Sequence, residues 1–398
     1  MIAVAEAREI IDRKVGSLGV ETASLTAVHG RVLREDVAAG EDMPPFDRSA
    51  MDGYAVRADD PGEEFAVRGE IRAGDAVTRE IVPGEAVRIF TGAQMPREGL
   101  KVIMQEHTEA VGPRIRLLRK SAMANVRYRG EDARAGEILL RAGTTLDAAA
   151  VALLAAMGRT SILASKRPSV LHVTTGDEIV PPGTVPKEGQ IRNSNAFLIP
   201  SLCREQGLEE VTHLHSGDDL DAMLKLLAEV KGEKYDMVLV SGGSGGGAYD
   251  FTAKVFEKLG ATLHFRQVNV RPGKPLIFGT NSSQVLFGLP GNALSHYVCF
   301  HLFVRCALNS LLGRPASGVT KGILAEQLAD AFNDRETWWP ARMSLAEGRI
   351  ECHALPWKSS GDITRLPSAN ALIRVPASTP ALPAEAMVEL LITRSDWR

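Results

Sequence analysis

The spacing of apolar residues changes period several times along the chain, and each change predicts a different element. Residues 3–15 place Ala3, Ala5, Ile10, Ile11 and Val15 at spacings compatible with one helical face. Glu6, Arg8 and Glu9 fall between them, so the chain opens on an amphipathic helix with a solvated charged side. From about 65 to 140, short runs such as EFAVRG, EAVRIFTG, LKVIMQEH and RIRLL alternate with Gly and Pro, which predicts short strands joined by turns. TTLDAAAVALLAAMG, 144–158, predicts a helix with Thr or Asp near its start and Gly158 past its end.

After Lys166, Arg167 and Pro168 the pattern becomes regular. The strand-like runs SVLHVTTG, EVTHLH, DMVLVSGG, TLHFRQVNV, PLIFG and QVLFGLPG alternate with the helical runs AFLIPSLCREQG, DLDAMLKLLAEVKG, FTAKVFEKLG and ALSHYVCFHLFVRCALNSLLG. Such alternation predicts βαβ crossovers, and hence a doubly wound, mostly parallel sheet over 168–314 with helices on both faces. Ligand loops in these sheets lie at the carboxyl ends of strands, which is where HVTTGDE, LVSGGSGGG and FGLPGN fall. Beyond Gly313, Pro and Trp punctuate short strand candidates, so 315–398 is expected to be a separate small β domain.

At 398 residues, 44% hydrophobic and 24% charged, the chain is long enough for several cores. Its 46 Lys+Arg against 49 Asp+Glu exclude a nucleic-acid binder that relies on bulk positive charge. Cys203, Cys299, Cys306 and Cys352 form no CxxC pair and sit in apolar surroundings, so they read as buried free thiols. The charged residues near the start interrupt any signal-peptide core, and no run reaches membrane-spanning length, which predicts a cytoplasmic protein without membrane partners.

Candidate chemistry concentrates in glycine-rich turns. Five of the six residues 242–247 are glycine, directly after a strand-like run. Gly242, Gly243, Ser244 and Gly245 either cradle an anion on their N–H groups or merely allow tight turns. A Walker A loop is excluded, because Tyr249, Asp250 and Phe251 stand where its Lys should be. A dinucleotide loop lacks its ribose-binding acid, since 258–325 contain no Asp or Glu. That same stretch carries Arg266, Arg271, Lys274 and Arg305, which suits a phosphate or another oxyanion, and the prolines of RPGKP stiffen the turn that bears Arg271 and Lys274. Carboxylates also collect beside turn glycines: Asp52, Asp132, Asp177, Glu178, Asp218 and Asp250. Each alone reads as a turn cap; converging, they suit Mg²⁺ set against phosphate oxygens.

PPFDRSAMDGYAVR, RIFTGAQMPREGLKVIMQEHTE, GEDARAGE, TTGDE, RPGKP, GLPGN and SSGDITRLPSANALI, in that order over essentially the whole chain, resemble the molybdopterin molybdotransferases, the family of the bacterial molybdenum insertase and the matching domain of gephyrin. The resemblance implies a homodimer of elongated subunits. Each would have a split N-terminal domain (1–45 and 141–167), an inserted β domain (46–140), a molybdopterin-binding α/β domain (168–314) and a C-terminal β-barrel-like domain (315–398). It implies insertion of molybdate into adenylylated molybdopterin with release of AMP, in a Mg²⁺-dependent step of molybdenum cofactor biosynthesis. Partners would include an adenylyltransferase that supplies the substrate and apo-molybdoenzymes that receive the product.

Matched residue by residue, the family's functional positions are Asp52, Thr91, Asp132, Glu178, Asp218, Asp250, Lys274, Pro290 and Ser360, shared in the family across the dimer interface. Asn292 of GLPGN and Arg271 join the ligand-binding set, and Asp250 and Glu178 are the expected metal or nucleophile-positioning pair. The chain departs from the family's pattern around that site. Gly-Gly-Ser-Gly-Gly-Gly-Ala replaces Gly-Gly-Val-Ser-Val-Gly and an acid, Asn193 replaces Asp, Arg271 replaces Lys and Ala293 replaces Pro. The GGSG spelling followed by Asp250 and Thr252 is similar to the related molybdopterin adenylyltransferases. Adenylyltransferase-like activity and a non-catalytic molybdopterin-binding role are therefore the alternatives.

Overall fold

The structure, a computed structural model, describes residues 1–398 apart from 77–79, 231–234, 243–247, 317, 330 and 395–398, and apart from the side chains of 248 and 249. It divides into two compact units: 35–144 with 149–160, and 1–34 with 145–148 and 161–398.

The smaller unit is built on a six-stranded sheet in the order Leu100–Met104, Gly53–Arg57, Glu85–Ile89, Glu64–Ile71, Arg114–Leu117, Thr108–Val111. Side chains of period two bury both faces, Ala55, Val87, Ile89 and Val102 in one cluster and Val56, Ala86 and Ile103 in another. Gly53 is required by closeness rather than by flexibility. A Cβ there would stand 2.0 Å from the Ile103 carbonyl oxygen of the paired strand. The helix expected over 144–158 is confined to Ala148–Ala156 and is closed by Gly158 at φ +71°.

The larger unit begins with the expected helix, Val4–Lys14, but its inward stripe is Val4, Ala7 and Ile11, continued by Val15. Ala3 and Ala5 are exposed, because the i, i+3, i+7 row runs from Val4 and leaves them on the solvent side.

The central sheet is made of β1 (Val170–Thr175), β2 (Val211–Ser216), β3 (Met237–Ser241), β4 (Thr262–Phe265), β5 (Ile277–Thr280) and β6 (Val285–Leu289). Their spatial order is β2-β1-β3-β6-β5-β4, parallel as far as β6 and antiparallel for the last two pairings. Every residue of β1, β3 and β6 is buried, as a parallel sheet covered on both faces requires. Val170, Met237, Leu239 and Phe287 pack with the helix α1 (Val4–Lys14), with α2 (Asn195–Glu205) and with residues 293–312. Leu171, Val173, Val238 and Leu286 pack against α3 (Leu220–Glu229) and α4 (Ala248–Lys258). Residues 293–312 form one buried rod: Ala293–Cys299, a π-helical turn Phe300–Val304, then Arg305–Leu312, stopped by Gly313 at φ +61°.

Towards the C-terminus, Val319–Leu324, Glu336–Ala346, Arg349–Ala354, Ala371–Val375 and Met387–Ile392 close into a five-stranded barrel, because Glu336–Ala346 pairs with both Arg349–Ala354 and Ala371–Val375. The short strand Val270–Arg271 pairs in parallel with the start of Glu336–Ala346, at Glu336 and Thr337. All four cysteines are buried and free. No described helix is long and apolar enough to cross a membrane.

Candidate functional site

Four parallel strands end at one level, and the turns beyond them enclose a cavity of about 290 Å³. Strand β1 contributes Thr174, Thr175 and Gly176, β3 contributes Ser241 and Gly242, and the turn after β6 contributes Gly291 and Asn292. Glu178 and Asp218 complete the acidic part of the lining. Two glycines are imposed by close approach. Gly176 has φ +130°, and a Cβ on it would lie 2.6 Å from Glu178 Oε2, so glycine lets that carboxylate fold back over the turn. Gly242 has φ +121°, and a Cβ would lie 2.5 Å from Thr175 Oγ1 and 2.7 Å from the Thr175 carbonyl oxygen.

The carboxylates crowd one another. Asp177 Oδ1 accepts from the Asp218 amide at 3.4 Å. Burial pushes the Asp218 carboxyl above its ordinary range, and the charges of Glu178 and Asp177 add to that rise. Below them the floor is neutral and rich in acceptors. Asn193 donates from Nδ2 to Thr174 Oγ1 at 2.9 Å and accepts at Oδ1 from the Ala196 amide at 3.0 Å, which closes the first turn of α2. Asn195 donates to the Gly291 carbonyl at 2.8 Å, while its own Oδ1 is buried without a partner among the described residues. A pocket with crowded carboxylates and an unpartnered amide oxygen is set to receive N–H donors or a hard cation, and a bare phosphate would be repelled by it.

Asn292 and Ser360 meet: Asn292 Nδ2 donates to Ser360 Oγ at 2.6 Å. The Ser360 carbonyl accepts from the Leu294 and Ser295 amides at 3.1 and 3.2 Å. Those first-turn N–H groups of Ala293–Cys299 are thereby consumed, and Pro290 is buried just upstream. Arg271 is half-buried with its guanidinium 4.8 Å from the centre of the Trp357 ring; burial, then the charge of Arg335, lowers its pKa. Lys274 is exposed, and Asp250 is exposed in the first turn of α4. Among the described residues the cavity lining contains neither Asp250 nor Lys274 nor Arg271. Gly243, Ser244 and Gly245 lie outside the described residues.

The smaller unit brings together Asp52 and Thr91. Asp52 Oδ1 accepts from the Thr91 amide at 2.8 Å and from its hydroxyl at 2.7 Å, and these two bonds lower its pKa. Asp132 is paired with Arg127, which also reaches Glu131 at 3.2 Å. The sequence reading did not single out Thr175, Asn195, Ser241, His172 or His296. The available signal was polar residues interrupting otherwise apolar runs, as in SVLHVTTG and ALSHYVCF.

Residues 2–158 match the family model described as MoeA N-terminal region (domain I and II), 172–310 match the probable molybdopterin binding domain, and 321–392 match the MoeA C-terminal region (domain IV). A protein of Staphylococcus aureus named molybdopterin molybdenumtransferase is 30% identical over 99% of this chain and 96% of its own. One of the same name from Staphylococcus epidermidis is 30% identical over 92% and 90%. The crystal structure of a molybdopterin biosynthesis MoeA protein from Pyrococcus horikoshii is similar with a TM-score of 0.76 at 30% identity, covering 99% of this chain and 100% of that one.

Proposed function

The chain belongs to the MoeA family of molybdopterin molybdenumtransferases, and from that premise we propose that it inserts molybdate into adenylylated molybdopterin and releases AMP, a step of molybdenum cofactor biosynthesis. The observation that carries this reading is the cavity at the carboxyl ends of β1, β3 and β6, which Glu178 and Asp218 line together with the unpartnered Asn195 Oδ1. Those acceptors suit the amino and ring N–H groups of a pterin. The phosphates then belong with the backbone of 242–245 and with Lys274 and Arg271. Catalysis consists of cutting one P–O bond of the phosphoanhydride while an oxygen of molybdate or water forms a new one, and the electron pair leaves on the departing phosphate.

Among the described residues no three His, Cys, Asp or Glu are grouped to hold a metal ion. Mg²⁺ commonly uses only one or two carboxylates beside waters and substrate phosphates, and the burial of Asp218 beside the charges of Glu178 and Asp177 suits it. Glu178 and Asp218 would hold the ion, with Asp250 at the neighbouring helix start, and it would supply charge against phosphate oxygens. Asp52, Thr91 and Asp132 take the roles their family positions give them. The protein works as a cytoplasmic homodimer, is supplied by an adenylyltransferase and passes its product to apo-molybdoenzymes. Purified protein given adenylylated molybdopterin, Mg²⁺ and molybdate should release AMP; none released, beside an active relative in the same assay, overturns the reading.

A further inference from the structure

Beneath the cavity runs a line of buried polar groups to which the transferase chemistry assigns no role. Ser241 ends β3, and its Oγ lies 2.7 Å from His172 Nε2 on β1 and 2.6 Å from His296 Nε2 on the helix Ala293–Cys299. Both rings are fully buried. Burial lowers the His296 pKa to about 3 and holds His172 well below its usual value, so both are neutral.

Proton counting then gives the line a direction. A hydroxyl has one proton, so between two neutral imidazoles it donates to one and accepts from the other. Both rings face Ser241 through Nε2, so one imidazole carries its proton there and donates, and the other accepts with its Nε2 bare.

We propose that His172 and His296 are positioning residues for this site: one imidazole donates from Nε2 to Ser241 Oγ, Ser241 donates to Nε2 of the other, and the relay holds the segments carrying Thr175, Gly242 and Asn292 in one arrangement. The positioning role rests on the transferase reading above; the relay itself does not. Strands β1 and β3 are already registered by backbone pairing, with His172 opposite Leu239. The helix that starts at Ala293 has no such register with them, and the relay gives it a directional polar tie.

Two measurements test this. In ligand-free full-length protein near neutral pH, nitrogen-15 spectra of the imidazoles, assigned with His172→Gln and His296→Gln, should show one of the two rings protonated on Nε2 and the other on Nδ1. The same tautomer on both, or averaging between tautomers, overturns the relay. In the AMP-release assay, Ser241→Ala and His172→Leu should lower kcat about tenfold with KM changed less than about threefold, on the scale of small misplacements of reacting groups. His172→Gln, whose amide can donate or accept near the place of the lost Nε2, should recover most of that loss, whereas a purely packing role makes Leu and Gln alike. Should His172→Leu fail to fold, Ser241→Ala beside His172→Gln decides. Wild-type protein that turns over while Ser241→Ala matches it overturns the positioning role. Wild-type protein that releases no AMP overturns the transferase reading instead, and the spectra alone then judge the relay.

Discussion

The two units handle polar groups in opposite ways. In the smaller one, Asp42, Asp52 and Asp132 lie at exposed turns, and each carboxylate is met by an arginine or by amide and hydroxyl donors: Asp42 by Arg129 at 2.6 Å and the Ala135 amide at 2.9 Å, Asp52 by Thr91, Asp132 by Arg127. In the larger one, His172, His296 and His301 are buried and neutral, and Asp177, Glu178 and Asp218 crowd one another. Exposed pairs are screened and contribute little each, whereas a buried polar group is costly wherever its partner fails. Damage to the first arrangement should stay local; damage to the second should reach the whole sheet.

Acid should separate the two units most strongly. The imidazole pKa values of His172, His296 and His301 are lowered chiefly by burial, with His296 and His213 acting on His172, and Arg305 and Arg394 acting on His301. Their stabilising effect is therefore present above the unfolded value and is lost as pH falls below it. Under about pH 6.5 the unfolded chain takes up protons that the folded chain refuses, at a cost of about 1.4 kcal/mol per pH unit for each imidazole. Asp42 and Asp52 have lowered values too, but theirs start from 3.8, so their contribution is lost only in stronger acid. Residues 35–144 and 149–160 contain no tryptophan, and Trp338, Trp339 and Trp357 fall in the larger unit, which makes fluorescence its private reporter. The urea midpoint read by tryptophan should drop steeply between pH 7 and 5; a flat midpoint breaks the comparison.

Next in size are the crowded glycines. Gly242→Ala adds a Cβ 2.7 Å from the Thr175 backbone oxygen at φ +121°, and backbone cannot swing aside, so about 3 kcal/mol should be lost together with AMP release. Gly53→Ala, with its Cβ 2.0 Å from the Ile103 oxygen, should cost at least as much but disrupt the smaller sheet instead. Denaturation followed by tryptophan should register Gly242→Ala fully and Gly53→Ala weakly. An equal response to both would mean that the units unfold as one.

These contrasts explain what could be read from the sequence. Continuous apolar runs such as MVLV and VLFGL gave the buried parallel strands, since period and burial are local properties. The turn motifs TTGDE and GLPGN pointed to Glu178 and Asn292, because glycines that must sit against another group leave a written mark. The floor of the cavity left none. Thr175 and Ser241 look like ordinary strand residues, and the pairing of Ser241 with His172 and His296 joins positions 69 and 55 apart that no local pattern links. Helix faces carried a similar ambiguity: Ala3 and Ala5 are as apolar as Ala7, and only the neighbouring core decides which of them is covered.

Asp52→Asn tests the exposed side of the comparison. It keeps the shape but removes the charge that draws in both Thr91 donors, so AMP release should fall about tenfold or more while the tryptophan-detected urea midpoint stays put. A shifted midpoint would tie Asp52 to the stability of the larger unit and blur the contrast.

The smallest expected effect lies at Arg271, a half-buried cation that no carboxylate among the described residues pairs. Its guanidinium rests on the Trp357 ring at 4.8 Å, and that ring in turn meets Trp339 edge-on at 5.6 Å. Trp357→Leu removes both contacts, and Trp357→Phe keeps an aromatic face beneath the arginine. The leucine variant should lose about 1 kcal/mol and the phenylalanine variant about half of that, on the scale of partly exposed cation–π and aromatic pairs. Arg271→Lys separates the two contributions, because an ammonium keeps the charge but loses the flat face that stacks. If Arg271→Lys and Trp357→Leu weaken pyrophosphate binding to the same degree, the stack is what aims the cation. If only Arg271→Lys does so, the ring is mere packing, and Arg271 belongs with the exposed pairs of the smaller unit rather than with the buried network.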